Sequence, residues 1–300
     1  MEGAADMITA NLGSKTYRIP ENLEQYFQLF RSQIIGVNQG FDSPYGKRKI
    51  LYGDWTASGR LYRPIEQKIS EVFGPYMANT HTESNITSLM MTGMYKQSKE
   101  IIKEHVNADP YDVIIFDGFG MTAVINKFQR ILGLRVNENL KSRLKISKQE
   151  RPIVFLTHIE HHSNQTSWLE TIADVEIIKP DKNGCVDISH LEHLLIQYKD
   201  RKMKIGSFSA CSNVTGIETP YHQLAKMMHQ HGGICFVDFS ASAPYVKMNM
   251  HPKDPLEKLD AIFFSPHKFL GGPGTSGVLV FDSRLYGNKV PDHPGGGTVT

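Results

Sequence analysis

Residues 261–281 read AIFFSPHKFLGGPGTSGVLVF, and this stretch decides the fold. Its two apolar runs, Ala261–Ser265 and Gly277–Phe281, are rich in β-branched and aromatic residues, which is typical of buried strands. The connection between them is short and rich in glycine and proline. Because a parallel crossover needs a dozen or more residues, usually including a helix, the two strands are predicted to run antiparallel.

Five further apolar runs of the same kind precede this stretch. They are Val113–Asp117, Ile153–His158, Val175–Lys179, Ile205–Ala210 and Ile234–Asp238. Apolar residues at helical spacing mark three segments between the runs, which are Met121–Leu134, Ile188–Tyr198 and Tyr221–His231. Alternating strands and helices build right-handed crossovers. The sequence therefore predicts an α/β fold, a seven-stranded mostly parallel sheet with one antiparallel strand and helices on both faces.

The first 110 residues or so have a different character. Helical periodicity marks Glu21–Ile35, Pro64–Phe73 and Ile86–Val106. Between the first two lies a segment with several small residues, Ile50–Arg60, which suits a closely packed loop.

Composition narrows the class of protein. The 300 residues carry 33 Lys+Arg against 31 Asp+Glu. The chain therefore lacks the excess of basic residues that would predict a nucleic-acid partner. The first residues do not resemble a secretory signal, and no apolar run approaches the roughly 20 residues of a membrane span. Three widely spaced cysteines favour a reducing compartment, and Cys211 and Cys235 fall in predicted strands, where we expect core positions. We expect a soluble cytoplasmic enzyme without a membrane partner.

Ligands of such sheets bind outside the carboxyl ends of the strands. After the first predicted strand comes DGFGMTA, residues 117–123, followed by a helix. Glycines before a helix expose backbone N–H groups to an anion, and Thr122 can add a hydroxyl. A tight turn without a ligand explains this segment equally well when it is considered alone.

The second strand leads to HIEHHSN, residues 158–164, which we interpret as a strand end rather than a helix. Three histidines and a glutamate raise the possibility of a zinc hydrolase, but the order H-E-x-x-H is absent. We therefore predict no metal site. If this segment has a function, the better interpretation is that a histidine ring covers a flat ligand. If it has none, the histidines form a cluster on the protein surface.

Charged residues lie at or just after the ends of two later predicted strands. Asp238 closes an apolar strand, where it either serves as a helix N-cap or pairs with a cation. Lys268 follows another buried strand, flanked by His267 and a glycine-rich loop. Such a lysine loses its proton easily and can form an imine. An anion cradle, a flat ring, a buried carboxylate and an amine are together what pyridoxal 5'-phosphate requires.

The order of these motifs resembles that of the class V aminotransferase family, which includes cysteine desulfurases, selenocysteine lyases, kynureninase and isopenicillin N epimerase. The resemblance runs from about Tyr52 to the end of the chain, and its most specific parts are Ser212–Gly216 and Ser265–Lys268. It implies the aspartate-aminotransferase type of fold for pyridoxal-phosphate-dependent transferases. It also implies three domain-level segments, a helical arm (1–48), a large cofactor-binding domain (49–285) and the start of a truncated C-terminal region (286–300).

The resemblance implies three catalytic residues. Lys268 would form a Schiff base with the cofactor and later move the Cα proton of the substrate. Asp238 would pair with the pyridinium nitrogen, and His161 would stack on the ring.

Other residues would bind the phosphate or the substrate. The resemblance assigns the phosphate to Gly120, Met121, Thr122, Ala123, Ser265 and His267. Asn213 would hydrogen-bond near the ring hydroxyl or the substrate, and Thr56, Ala57 and His81 match segments that approach the substrate.

The chain departs from the desulfurase pattern at several points. Ala241 stands where a glutamine normally touches the ring hydroxyl, and Phe239 and Ser240 replace a pair of small residues. The nucleophilic cysteine and the arginine that binds the substrate carboxylate belong to a region beyond Lys268 in the family, and no cysteine follows Lys268 here.

We therefore expect a pyridoxal-phosphate-dependent enzyme that acts on an amino acid, first of all a desulfurase or lyase. The alternatives are an aminotransferase, an epimerase or kynureninase-like enzyme, and a non-catalytic scaffold with the same fold. Residues 295–298 resemble a loop that reaches the phosphate of a neighbouring subunit, which favours a homodimer.

Overall fold

The computed structural model describes residues 22–80, 82 and 84–295. The chain divides into two compact units, residues 1–51 and 52–300. In the first unit, helix α1 (Leu23–Arg31) begins at Asn22, whose side chain accepts a hydrogen bond from the Gln25 N–H. A hairpin follows, in which strand β1 (Gly40–Ser43) pairs antiparallel with β2 (Gly46–Lys49).

The second unit is built on a seven-stranded sheet. Its strands are β3 (Asp112–Phe119), β4 (Ile153–Thr157), β5 (Asp174–Ile178), β6 (Lys204–Ser209), β7 (Ile234–Asp238), β8 (Ala261–Phe264) and β9 (Ser276–Asp282). In space the order is β3-β9-β8-β7-β6-β4-β5. Strand β9 runs antiparallel to both of its neighbours, and the remaining neighbours pair parallel. The predicted α/β fold with one antiparallel strand is confirmed.

Seven further helices belong to the described part of the second unit. They are α2 (Arg63–Lys68), α3 (Ile86–His105), α4 (Gly120–Ile131), α5 (Glu138–Lys141), α6 (His162–Leu169), α7 (Ile188–Gln197) and α8 (Tyr221–Gln230). A π-helical turn, Ile69–Phe73, continues α2, and Pro266–Lys268 forms a 3₁₀ turn after β8. No helix within the described residues combines the length and the apolar character that crossing a membrane requires.

The helices cover both faces of the sheet, as predicted. Alternate residues of a strand point to opposite faces, so Phe155 belongs to one apolar cluster and Leu156 to the other. Helices α7 and α8 contribute buried residues to the first cluster, and α4 and α6 to the second. This arrangement fixes the carboxyl ends of the parallel strands at one edge of the sheet.

One local prediction is wrong. The segment 158–164 does not extend strand β4, which ends at Thr157, and helix α6 begins at His162. The strand ends because the Glu160 carboxylate turns back and accepts hydrogen bonds from Thr157. The helix begins because Nδ1 of His161 accepts a hydrogen bond from the Ser163 N–H and so caps its first turn.

Candidate active site

A cavity of about 420 Å³ opens where the strands of the second unit end. Its lining includes the predicted site residues Thr56, Ala57, Gly120, Met121, Thr122, His161, Asn213, Asp238, Ser265, His267 and Lys268. Ala123 does not line the cavity; it lies in α4, where a side chain at Gly118 would contact its Cβ. His81 lies outside the described residues.

The turn between β3 and α4 forms a cradle with hydrogen-bond donors. The N-cap residue Phe119 offers no side-chain acceptor to the helix, so N–H groups of the first turn remain for a ligand. The Met121 N–H donates to Oγ of Ser265 at 2.8 Å, which ties the turn to the end of β8. Gly120 has φ 65°, and a Cβ there would lie 2.6 Å from Cε1 of His267. The cradle therefore needs glycine at this position.

A buried acid and a partly buried base share the cavity. Asp238 is 4% exposed, and burial raises the pKa of its carboxyl, against the hydrogen bonds from Ser240 and the charge of Lys268. Burial also lowers the pKa of Lys268, while the carboxylates of Asp238 and Asp54 oppose that fall. The Lys268 amine consequently releases its proton more readily than an exposed lysine does.

The loop at Thr56 is held against the turn that carries Lys268. The Gly59 N–H donates to the carbonyl of His267 at 2.8 Å, and the Gly271 N–H donates to that of Arg60 at 2.7 Å. A Cβ on Gly59 would lie 1.9 Å from the carbonyl oxygen of Phe269, so the two backbones can approach only because this residue is glycine.

His161 presents a neutral ring to the cavity. Burial lowers its pKa and Lys268 lowers it further, while Asp238 opposes the shift. Because Nδ1 accepts a hydrogen bond from the Ser163 N–H at 3.1 Å, the proton of the neutral ring belongs on Nε2.

The other histidines of this segment do not join His161 in a metal site. Nε2 of His158 faces the carbonyl of Gly184 at 3.0 Å. Among the described residues, no group of three or more His, Cys, Asp or Glu side chains is placed to hold a metal ion. The zinc alternative therefore gains no support from the geometry.

Several lining residues are not among the predicted site residues. They are Asp54, Phe119, Ser163, Ser209, Cys211, Ser240 and Ala241. All of them are close sequence neighbours of residues that were predicted, so position next to a strand end or a motif was the available signal. Cys211 requires a correction, since β6 ends at Ser209 and this cysteine is only partly buried beside the cavity. Cys235 is buried in β7, as expected.

The residues fit pyridoxal 5'-phosphate on their own geometry. A helix start without a side-chain cap suits the phosphate, the buried Asp238 carboxylate suits a pyridinium nitrogen, and the deprotonatable amine of Lys268 suits an aldehyde. All three groups line one cavity.

The amino-acid sequence matches that of a known protein family. The model of the family Aminotransferase class-V matches residues 51–300. A probable cysteine desulfurase of Pyrococcus abyssi is 26% identical over 256 residues, which cover 84% of this chain and 58% of the relative. One from Halalkalibacterium halodurans is 27% identical over 245 residues, covering 80% of this chain and 54% of the relative. The chain thus spans little more than half the length of these curated relatives.

Solved structures agree at the level of the fold. The apo cysteine desulfurase of Thermococcus onnurineus superimposes with a TM-score of 0.64 at 23% identity, covering 89% of this chain and 57% of that one. The cysteine desulfurase CsdA of Escherichia coli gives a TM-score of 0.63 at 22% identity, with 89% and 59% covered.

Proposed function

The chain belongs to the aminotransferase class-V family, whose cofactor is pyridoxal 5'-phosphate, and on that premise we propose that it is the cofactor-binding part of an enzyme acting on an amino acid, of the cysteine desulfurase type. The observation that carries the proposal is the meeting of Lys268, Asp238 and His161 with the β3–α4 cradle in one cavity. The curated relatives named above support the desulfurase assignment.

Each residue has a task in this proposal. When bound, pyridoxal phosphate supplies an electron sink for the negative charge that develops at the Cα of the amino acid. Asp238 holds the proton of the ring nitrogen through its buried carboxylate. Lys268 accepts the Cα proton and returns it, for which its lowered pKa is suitable.

Binding residues surround this centre. The start of α4, with Thr122, Ser265 and His267, would hold the phosphate, and the His161 ring would cover the cofactor and exclude water from that face. Asn213, Thr56 and Ala57 would contact the ring hydroxyl or the substrate. Homodimer formation and the three-segment division of the chain rest on the resemblance, and a cytoplasmic location rests on composition and cysteine usage; all three stay predictions.

The test is reconstitution of the 300-residue chain with pyridoxal phosphate. We expect a visible absorption band, and after borohydride treatment a cofactor attached to Lys268, read by peptide mass spectrometry. Lys268→Ala should lose both signals. Absence of both from the wild-type chain would refute the cofactor assignment.

The reaction type needs a second experiment. An amino-acid panel is scored for spectral change and for its product, which is sulfide, a keto acid or racemised substrate. Sulfide from cysteine, even at the low rate expected of this chain, supports the desulfurase proposal, and keto acid alone would assign an aminotransferase instead. Cofactor binding without any response to amino acids would favour the scaffold alternative, which Ala241 in the cavity lining motivates.

A further inference from the structure

A carboxylate just outside the cavity lining collects five hydrogen bonds. This carboxylate belongs to Glu160, which immediately precedes His161, and its five donors belong to three residues. Its Oε1 accepts from the Thr157 N–H at 3.2 Å, from Oγ1 of Thr157 at 2.5 Å and from the Ser209 N–H at 2.9 Å. Its Oε2 accepts from Nδ2 of Asn164 and from Oγ of Ser209, both at 2.7 Å.

These bonds join three elements at one point. Thr157 is the last residue of β4, Ser209 is the last residue of β6, and Asn164 lies in the first turn of α6. Three of the five donors are N–H groups, which cannot accept a hydrogen bond, so all five bonds are made together only when the carboxylate is ionised; a proton on it could point only to the Thr157 or Ser209 hydroxyl. Burial raises the pKa of Glu160, and these hydrogen bonds oppose that rise.

A second layer makes the junction rigid. Asn164 is fully buried, and its Oδ1 accepts from Oγ of Ser207 at 2.9 Å and from Nε1 of Trp168 at 3.1 Å. Its Nδ2 also reaches the carbonyl of Ser207 at 3.2 Å. Rotation of the Asn164 amide would therefore break several buried bonds at once, each of which is costly to leave unmade.

His161 lies in the chain between Glu160 and Asn164, the two residues at the centre of this junction. Its backbone follows Glu160 directly, and its Nδ1 is fixed by the Ser163 N–H, one residue before Asn164. We propose that Glu160 is a positioning residue, whose carboxylate holds the end of β4 and the start of α6 so that the His161 ring keeps its place against the cofactor. The inference rests on the proposed function, since it needs the cofactor beside His161.

The substitution Glu160→Gln changes the charge and one acceptor while it keeps the shape. The new NH₂ group would face either Nδ2 of Asn164 or the backbone N–H groups of Thr157 and Ser209, none of which can accept, so at least one partly buried bond is lost. We expect the dissociation constant of pyridoxal phosphate to rise about tenfold. The visible circular dichroism of the bound cofactor should also change, because the ring that covers it is displaced.

The decisive measurement is a double-mutant cycle with His161→Ala. If Glu160 acts through His161, Glu160→Gln raises the dissociation constant in the wild-type background and has little further effect when His161 is already alanine. An equal effect in both backgrounds would mean a general structural role and would overturn the proposal. Glu170→Gln, at the exposed end of α6, is the matched control and should leave both affinity and dichroism unchanged.

Thr157→Val provides a milder variant should Glu160→Gln fail to fold. It removes one donor to Glu160 and keeps the charge. It should change the dichroism in the same way but to a smaller extent. An unchanged spectrum would count against the positioning role. A wild-type chain that does not bind pyridoxal phosphate would refute the proposed function itself. Wild-type binding that Glu160→Gln leaves intact would overturn only the role of Glu160.

Discussion

At the scale of single residues, the site depends on two groups that burial pushes toward neutrality. Burial raises the pKa of Asp238 and lowers that of Lys268, and the charge of each group opposes the shift of the other. Burial makes the charged form of each group less favourable, and the opposite charge of the other group offsets part of that cost. The pair therefore keeps a carboxylate and a reactive amine in one cavity, which is the combination that the proposed chemistry needs.

Asp54 should tune this amine. Its carboxylate favours the ammonium form of Lys268, so Asp54→Asn should lower the Lys268 pKa and provide more neutral amine at a given pH. Because only the neutral amine attacks an aldehyde, we expect the rate of cofactor attachment to reach its half-maximal value at a lower pH than in the wild type. Stopped-flow absorbance across a pH series measures this shift.

Asp200→Asn serves as the control for Asp54→Asn. Asp200 is exposed and does not line the cavity, so its substitution removes the same charge without moving the pH profile. A wild-type profile for Asp54→Asn would show that Asp54 does not act on Lys268.

At the scale of elements, the junction of β3 and α4 depends on the backbone more than on side chains. Gly120 takes a left-handed conformation, and the close approach of His267 leaves no room for a Cβ. Gly277 on β9 is similarly confined, since a Cβ there would lie 2.1 Å from the carbonyl oxygen of Gly120. Two strands and a helix can meet at the cradle only with glycine at these positions.

Gly120→Ala should therefore lose both stability and cofactor affinity. A left-handed alanine costs about 1–2 kcal/mol, and the contact with His267 adds to this cost. Urea unfolding measures the stability, and titration with pyridoxal phosphate measures the affinity.

Gly184→Ala separates strain from contact. Gly184 also has a positive φ, of 79°, but a Cβ there would meet no atom within 4 Å. This variant should lose about 1–2 kcal/mol of stability through strain and keep its affinity for the cofactor. Equal affinity loss in the two variants would contradict the proposed role of the cradle.

At the scale of the whole molecule, the chain covers little more than half of its curated relatives. No arginine lines the cavity among the residues that the structure describes, and Cys211 is the one cysteine that does so there. Burial raises the pKa of Cys211, and Glu218 raises it further, so its thiol is a weak nucleophile at neutral pH.

We expect the 300-residue chain to bind pyridoxal phosphate but to release sulfide from cysteine slowly or not at all. The physical reason is that the described cavity offers the substrate carboxylate no guanidinium and the sulfur no reactive thiolate. Sulfide assays with the chain alone measure this, with cofactor absorbance as the binding control. Rapid turnover would contradict the expectation.

The sequence by itself determined the seven strands of the main sheet, their mostly parallel direction and the antiparallel β9, whereas the hairpin of β1 and β2 was not predicted. Each of these follows from local patterns, namely apolar runs such as Ile153–Thr157 and a connection after β8 that is too short for a crossover. Because ligands of such a sheet bind at the carboxyl ends of its strands, the sequence also predicts that Asp238, Lys268 and Thr122 lie at one edge.

Only the tertiary structure decided how segment 158–164 folds and what Cys211 touches. Glu160, between β4 and α6, accepts hydrogen bonds from Ser209 of β6, which lies 49 residues further along the chain. Likewise Asp54 reaches the cavity because the loop that carries it is bonded to the distant turn of Lys268. Local patterns are encoded over a few residues, whereas hydrogen bonds and burial between distant segments exist only after the chain has folded.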